Sequence, residues 1–215
     1  AQCLLEAMVY AHGKGIIHRD IKPANLIRER NGSVKVTDFG IAKIKEGGTG
    51  GTGTVLTKSG FLLGTPHYMS PEQIREPKDA GAKADVYSAG VVLYEMLTGQ
   101  MLFAGADSAQ IAHNVSNVEH EPPSRRNKEV TSLLDFTVAR ALKKDPSVRY
   151  QDAYEFAADL RTCLAELRGR PVADAKRDTT KTVKLARKID SKSPAPVAAA
   201  IAPSTRLSLS RLFDS

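Results

Sequence analysis

The stretch His18-Arg19-Asp20-Ile21-Lys22-Pro23-Ala24-Asn25 is followed, 13 positions after the Asn, by Asp38-Phe39-Gly40. Two carboxylates, a carboxamide and a lysine this close together suit phosphoryl transfer, which asks the protein for little covalent work. A hydroxyl must be aimed in line, Mg²⁺ held on the phosphates, and cations placed where charge accumulates. Asp20 can accept the hydroxyl hydrogen and aim the oxygen, Lys22 can meet the transferred group, and Asn25 and Asp38 offer hard oxygens to the metal.

Between the two clusters lie LIRER, then Asn31-Gly32, then SVKVT. The alternation of apolar and polar residues around a dipeptide suited to a tight turn predicts a hairpin of two short strands. Such a hairpin would let the oxygens of Asn25 and Asp38 converge. Upstream, Leu4, Leu5, Met8 and Ala11 recur at helical spacing and Gly13 and Gly15 follow, so residues 1–12 read as a helix end feeding the loop.

Downstream, Ser70-Pro71 reads as an N-cap with Pro in the first helical position. Residues 83–98 read as a buried central helix stopped at Gly99. Further helical patterns span 107–117, about 129–142 and about 152–168. The expected fold is mainly α with one small β-hairpin. Residues 45–60, rich in Gly, Thr and Ser, predict a loop.

Together these motifs resemble the eukaryotic-like, bacterial-type serine/threonine protein kinases. The chain matches the family's H-R-D-x-K-x-x-N loop at its five fixed positions and its D-F-G without substitution. Residues 64–72 (GTPHYMSPE) resemble the end of the family's activation segment, with Ser70 where Ala is usual. The resemblance covers residues 1–168 and implies the large helical lobe of a kinase-like fold.

It also implies roles. Asp20 and Lys22 are the catalytic pair, acting on Ser or Thr of protein substrates. Lys22, Asn25, Ile27 and Asp38 contact ATP, and Asn25 and Asp38 hold Mg²⁺, for which Mn²⁺ can substitute. Thr65 faces the substrate, and Arg19 binds a phosphate placed on the activation segment, with Thr57 and Ser59 as the preferred acceptors. His18, Phe39, Gly40, Glu72, Asp85 and Arg149 are structural: His18 sits beside Phe39, Glu72 pairs with Arg149, and Asp85 opens the central helix and holds the catalytic-loop backbone.

The family's order places a Gly-rich phosphate loop and a strand lysine before the catalytic loop, which here starts at residue 18. The smaller lobe is therefore expected to be missing, and these residues alone to be inactive. Gly48 to Gly53 formally fits GxGxxG, but it lies after Asp38 with no preceding strand and reads as a decoy. The competing expectation is a non-catalytic kinase-lobe scaffold or regulatory binding module.

Charge divides unevenly. Of 31 basic and 24 acidic residues, positions 1–168 hold 21 and 20, and positions 169–215 hold 10 and 4. The +7 therefore belongs almost wholly to residues 169–215, an Ala, Pro, Ser and Thr-rich stretch that reads as a disordered tail. The tail could tether the chain to an anionic membrane or dock a phosphorylated Thr179, Thr180 or Thr182 on a partner. Nucleic acid is not expected, since no aromatic residue stands between Gly169 and Arg211 to stack on bases. Apolar runs such as 197–201 fall short of the roughly 18 residues of a membrane span. Cys3 and Cys163, with no CxxC, suggest a reduced cytoplasmic chain.

Overall fold

Helix α1 (Gln2–Gly13) forms because Leu4, Leu5, Met8 and Ala11 fall on one face and are buried together. The computed structural model describes residues 1–39 and 66–169. The helix ends where Gly15 takes φ 72° and Ile16 donates back to the Ala11 carbonyl.

The catalytic-loop stretch then passes through a single 3-10 turn (Pro23–Asn25) into strands β1 (Leu26–Arg28) and β2 (Val34–Val36). The strands are antiparallel, with Leu26 opposite Val36, Ile27 opposite Lys35 and Arg28 opposite Val34. Leu26 and Val36 turn toward the core while Ile27, on the opposite face, is 40% exposed.

The turn departs from the two-residue form that Asn31-Gly32 suggests. Glu29 and Ser33 close the ladder through a 2.8 Å bond, leaving three residues, Arg30, Asn31 and Gly32, in the loop. Gly32 alone is left-handed there, at φ 88°. The Asn31 side chain accepts from the Ser33 amide at 2.9 Å and from its hydroxyl at 2.8 Å, fixing the loop in this longer form.

The second body of residues is helical: α2 (Pro71–Arg75), α3 (Ala82–Thr98), α4 (Ser108–Asn117), α5 (Ser132–Ala141) and α6 (Ala153–Leu167). Side-chain oxygens of Asp107, Thr131 and Asp152 cap α4, α5 and α6, each by accepting from an amide three residues on. Helix α3 is buried on nearly every side and stops at Gly99, which is left-handed at φ 68°. Gly90 in its middle lies so close to α5 that an added Cβ would stand 2.9 Å from that of Ala141. Around α3 pack Leu5, Ile21, Leu134, Val138, Phe156 and Leu160, and α1 lies along α6.

The fold is thus mainly helical with a two-stranded antiparallel sheet, as the sequence predicts. The expected loop at 45–60, the Gly48–Gly53 decoy and the tail from 170 onward lie outside the described residues.

Candidate active site

The catalytic-loop backbone hangs from one carboxylate. Asp85, in the first turn of α3 and fully buried, accepts from the Arg19 amide at 2.7 Å, the His18 amide at 2.8 Å and His12 Nε2 at 2.9 Å. The amides at the start of α3 favour a negative charge at that place, which offsets part of its desolvation.

Arg19 itself has φ 63°, a left-handed conformation unfavourable to any residue with a Cβ. Its side-chain Nε is buried without a partner among the described residues.

His18 is buried and bonded on both ring nitrogens. Its Nδ1 accepts from the Asp20 amide at 3.2 Å, so Nε2 carries the hydrogen and donates to the Thr37 carbonyl at 2.9 Å. The ring lies 4.7 Å from that of Phe39, tilted by 45°. The imidazole therefore joins this loop to the segment that leads from β2 to Asp38.

Asp20 and Lys22 meet at 3.0 Å, both partly exposed. Asn25 is buried and donates from Nδ2 to the Asp20 carbonyl at 2.8 Å and to Asp20 Oδ2 at 3.2 Å. Those donations use Nδ2, and Oδ1, the acceptor, receives no hydrogen bond among the described residues.

The Asn25 carbonyl receives the Thr37 amide at 2.9 Å, which continues the β1–β2 ladder and leaves Asp38 one residue beyond the pairing. Asp38 is exposed and, like Arg19, has a positive φ, at 57°. A carboxamide oxygen at Asn25 and a carboxylate at Asp38 are both hard oxygens, of the type that suits a hard divalent cation. Ile27 stands on the exposed face of β1.

The segment after the undescribed residues is tied to the same centre. Ser88 on α3 donates to the Tyr68 carbonyl at 2.7 Å, and the Tyr68 hydroxyl donates to Glu95 at 2.6 Å. Burial and the neighbouring Glu95 carboxylate push the Tyr68 phenol well above its ordinary value. Glu72 of α2 pairs with the fully buried Arg149.

Gln73 completes a capping box with Ser70 and also donates from Nε2 to the Arg19 carbonyl at 2.9 Å. Sequence reasoning passes over Gln73, Ser88 and His12. The S-x-x-Q spacing could have flagged the cap at Gln73, but its bond to Arg19 spans 54 positions and leaves no local signal.

Gly40, Thr57, Ser59 and Thr65 fall outside the described residues. Of the remaining predicted positions, His18, Arg19, Asp20, Lys22, Asn25, Ile27, Asp38 and Phe39 lie on the loop and hairpin, Asp85 bonds the loop backbone, and Glu72 and Arg149 form a separate pair.

A model of the protein kinase domain matches residues 1–159. The chain belongs to the protein kinase family. A probable serine/threonine-protein kinase of Streptomyces coelicolor is 42% identical over 169 residues, covering 79% of this chain and 24% of that protein. Serine/threonine-protein kinase PknB of Mycolicibacterium smegmatis is 45% identical over 155 residues, covering 72% and 24%, and PknB of Mycobacterium tuberculosis is 42% identical over the same shares. These relatives place the kinase lobe in the bacterial serine/threonine branch. The chain spans about a quarter of their length. Among the described residues no helix is long and apolar enough to cross a membrane.

Proposed function

We propose that residues 1–168 are the catalytic-loop lobe of a protein kinase that transfers the γ-phosphate of ATP to Ser or Thr of protein substrates. The observation that carries this reading is the Asp20, Lys22 and Asn25 cluster, in which Asn25 donates twice to Asp20 and keeps an oxygen for metal.

In this reading Asp20 orients the acceptor hydroxyl and takes its proton, a contribution of about 10²–10⁴ in rate. Lys22, held 3.0 Å from Asp20, places its charge where the transferred group carries negative charge. Asn25 and Asp38 hold Mg²⁺, which when bound neutralises phosphate charge. Ile27 and Lys22 complete the contacts to ATP on this lobe.

Arg19, whose buried Nε lacks a partner among the described residues, binds a phosphate on Thr57 or Ser59, and Thr65 meets the substrate. The basic tail after residue 168 serves as a linker that docks a phospho-Thr-binding partner, and the protein acts in the cytoplasm.

No Gly-rich loop before a strand lysine is found within these 215 residues, so a polypeptide of this sequence alone transfers negligible phosphate in a Mg²⁺-ATP assay. The test of the main reading is Asp20→Asn in a phosphate-transferring kinase that carries these residues. Transfer should vanish while nucleotide binding persists, and full activity in that variant would refute the assignment.

A further inference from the structure

The peptide unit that joins Arg19 to Asp20 is held at both of its polar ends by side chains. Its N–H, on Asp20, donates to His18 Nδ1 at 3.2 Å, and its C=O, on Arg19, accepts from Gln73 Nε2 at 2.9 Å. Because a peptide unit is planar, fixing both ends removes its freedom to swing about the line joining the two Cα atoms. That swing would turn ψ of Arg19 and φ of Asp20, and with them the direction in which the Asp20 side chain leaves the backbone. Asp85 restrains the two preceding units, through the amides of His18 and Arg19, and so holds Arg19 at φ 63° without touching the unit that carries the Asp20 amide.

The same carboxamide has a second duty. Gln73 Oε1 accepts from the Ser70 amide at 3.0 Å, and Ser70 Oγ accepts from the Gln73 amide at 3.3 Å. Gln73 is only 9% exposed, so neither half of the amide is replaced by water at low cost. Tyr68, two residues before Ser70, is anchored to α3 through Ser88. One side chain therefore links the segment entering α2 to the peptide that aims Asp20.

We propose that Gln73 is a positioning residue for Asp20, and that its nitrogen, not only its cap, is required. This rests on the reading of Asp20 as the group that takes the substrate proton. The alternative is that Gln73 does no more than cap α2, and the chemistry of capping separates the two. A glutamate serves a capping box as well as a glutamine, because only the oxygen acceptor is used. Gln73→Glu therefore keeps the bond to Ser70 while removing the donor to Arg19 and setting a carboxylate against its carbonyl.

The experiment compares wild type, Gln73→Glu and Gln73→Met in a phosphate-transferring kinase that carries these residues. Gln73→Glu should lower kcat about tenfold, the loss of one buried hydrogen bond in the transition state, with KM for ATP unchanged. Its activity relative to wild type should recover as pH falls toward 5, because the protonated carboxyl group regains a donor, while Gln73→Met shows no such recovery. In parallel, the ¹⁵N resonance of Asp20 and the ¹³C resonance of the Arg19 carbonyl in the 215-residue chain should shift in Gln73→Glu. Wild-type kcat with unmoved resonances would overturn the proposal. If the wild-type kinase itself transfers no phosphate, the reading of Asp20 falls, and the resonances still decide whether Gln73 fixes the peptide.

Discussion

Arg149 Nη1 stands 2.6 Å from Glu72 Oε1 and Nη2 stands 3.1 Å from Oε2, a two-point contact between a side chain at the far end of the domain and the first turn of α2. The other N–H groups of the guanidinium donate to the carbonyls of Lys83, Lys143 and Lys144. All five donors are thus satisfied although the residue is fully buried. The guanidinium carbon also lies 5.0 Å from the Tyr87 ring centre. Removing one partner strands a buried charge, so Arg149→Met should destabilise the lobe by about 3–5 kcal/mol. The double variant Arg149→Met with Glu72→Met should recover part of that loss. Urea denaturation of the four species measures it, and strictly additive losses would contradict the pairing.

Asp85 gathers two backbone amides and an imidazole on one carboxylate. Asp85→Asn keeps the shape but replaces an acceptor oxygen by a donor facing other donors. A loss of about 3 kcal/mol is expected, together with faster hydrogen exchange at the amides of His18 and Arg19. Protection at those amides equal to wild type would remove Asp85 as their anchor.

Lys144 supplies a pH test. Its ammonium donates to the Val115 carbonyl at 2.6 Å and lies 4.3 Å from the Phe103 ring centre. Burial, and to a lesser degree the neighbouring Arg149, pull it down to about 8, against a partial upward pull from Glu119. Between pH 8 and the ordinary value of 10.5 the unfolded chain carries a proton that the folded one lacks. Stability therefore rises with pH through this window, and the strain of holding the charge indoors is present below it. The ¹³Cε resonance of Lys144 should titrate near pH 8, and Lys144→Met should flatten the stability slope between pH 8 and 10.5.

The two thiols should differ in reactivity. Cys163 is fully buried beside the Thr137 hydroxyl at 3.3 Å, and burial raises its thiol above the ordinary value. Cys3 is half-buried. Iodoacetamide should modify Cys3 in the folded chain and reach Cys163 only on unfolding, as read by peptide mass spectrometry. Prompt labelling of Cys163 would mean that the α5–α6 contact opens far more easily than its burial implies.

Much of this was legible in the sequence because the signals are local. The cap at Ser70, the stop at Gly99 and the helix from Asp152 each depend on residues within one turn of each other. The hairpin was legible in position but not in loop length, since the choice between two and three loop residues turns on the bonds between Asn31 and Ser33. The pairing of Asn25 with Thr37, next to Asp38, followed from that hairpin. The third ligand of Asp85, His12, and the bond from Gln73 to Arg19 were not legible, because each joins residues more than 50 positions apart whose types are common elsewhere.

The packing of α1 along α6 has a consequence for how the chain is made. Leu4, Leu5 and Met8 leave the ribosome well before Phe156 and Leu160, which belong to the surface that finishes covering them. Closing a loop of that size before any contact rewards it slows folding. During translation the first helix therefore waits with an apolar face uncovered until nearly the whole lobe has left the ribosome, the interval in which a nascent kinase lobe is most open to aggregation and to capture by chaperones.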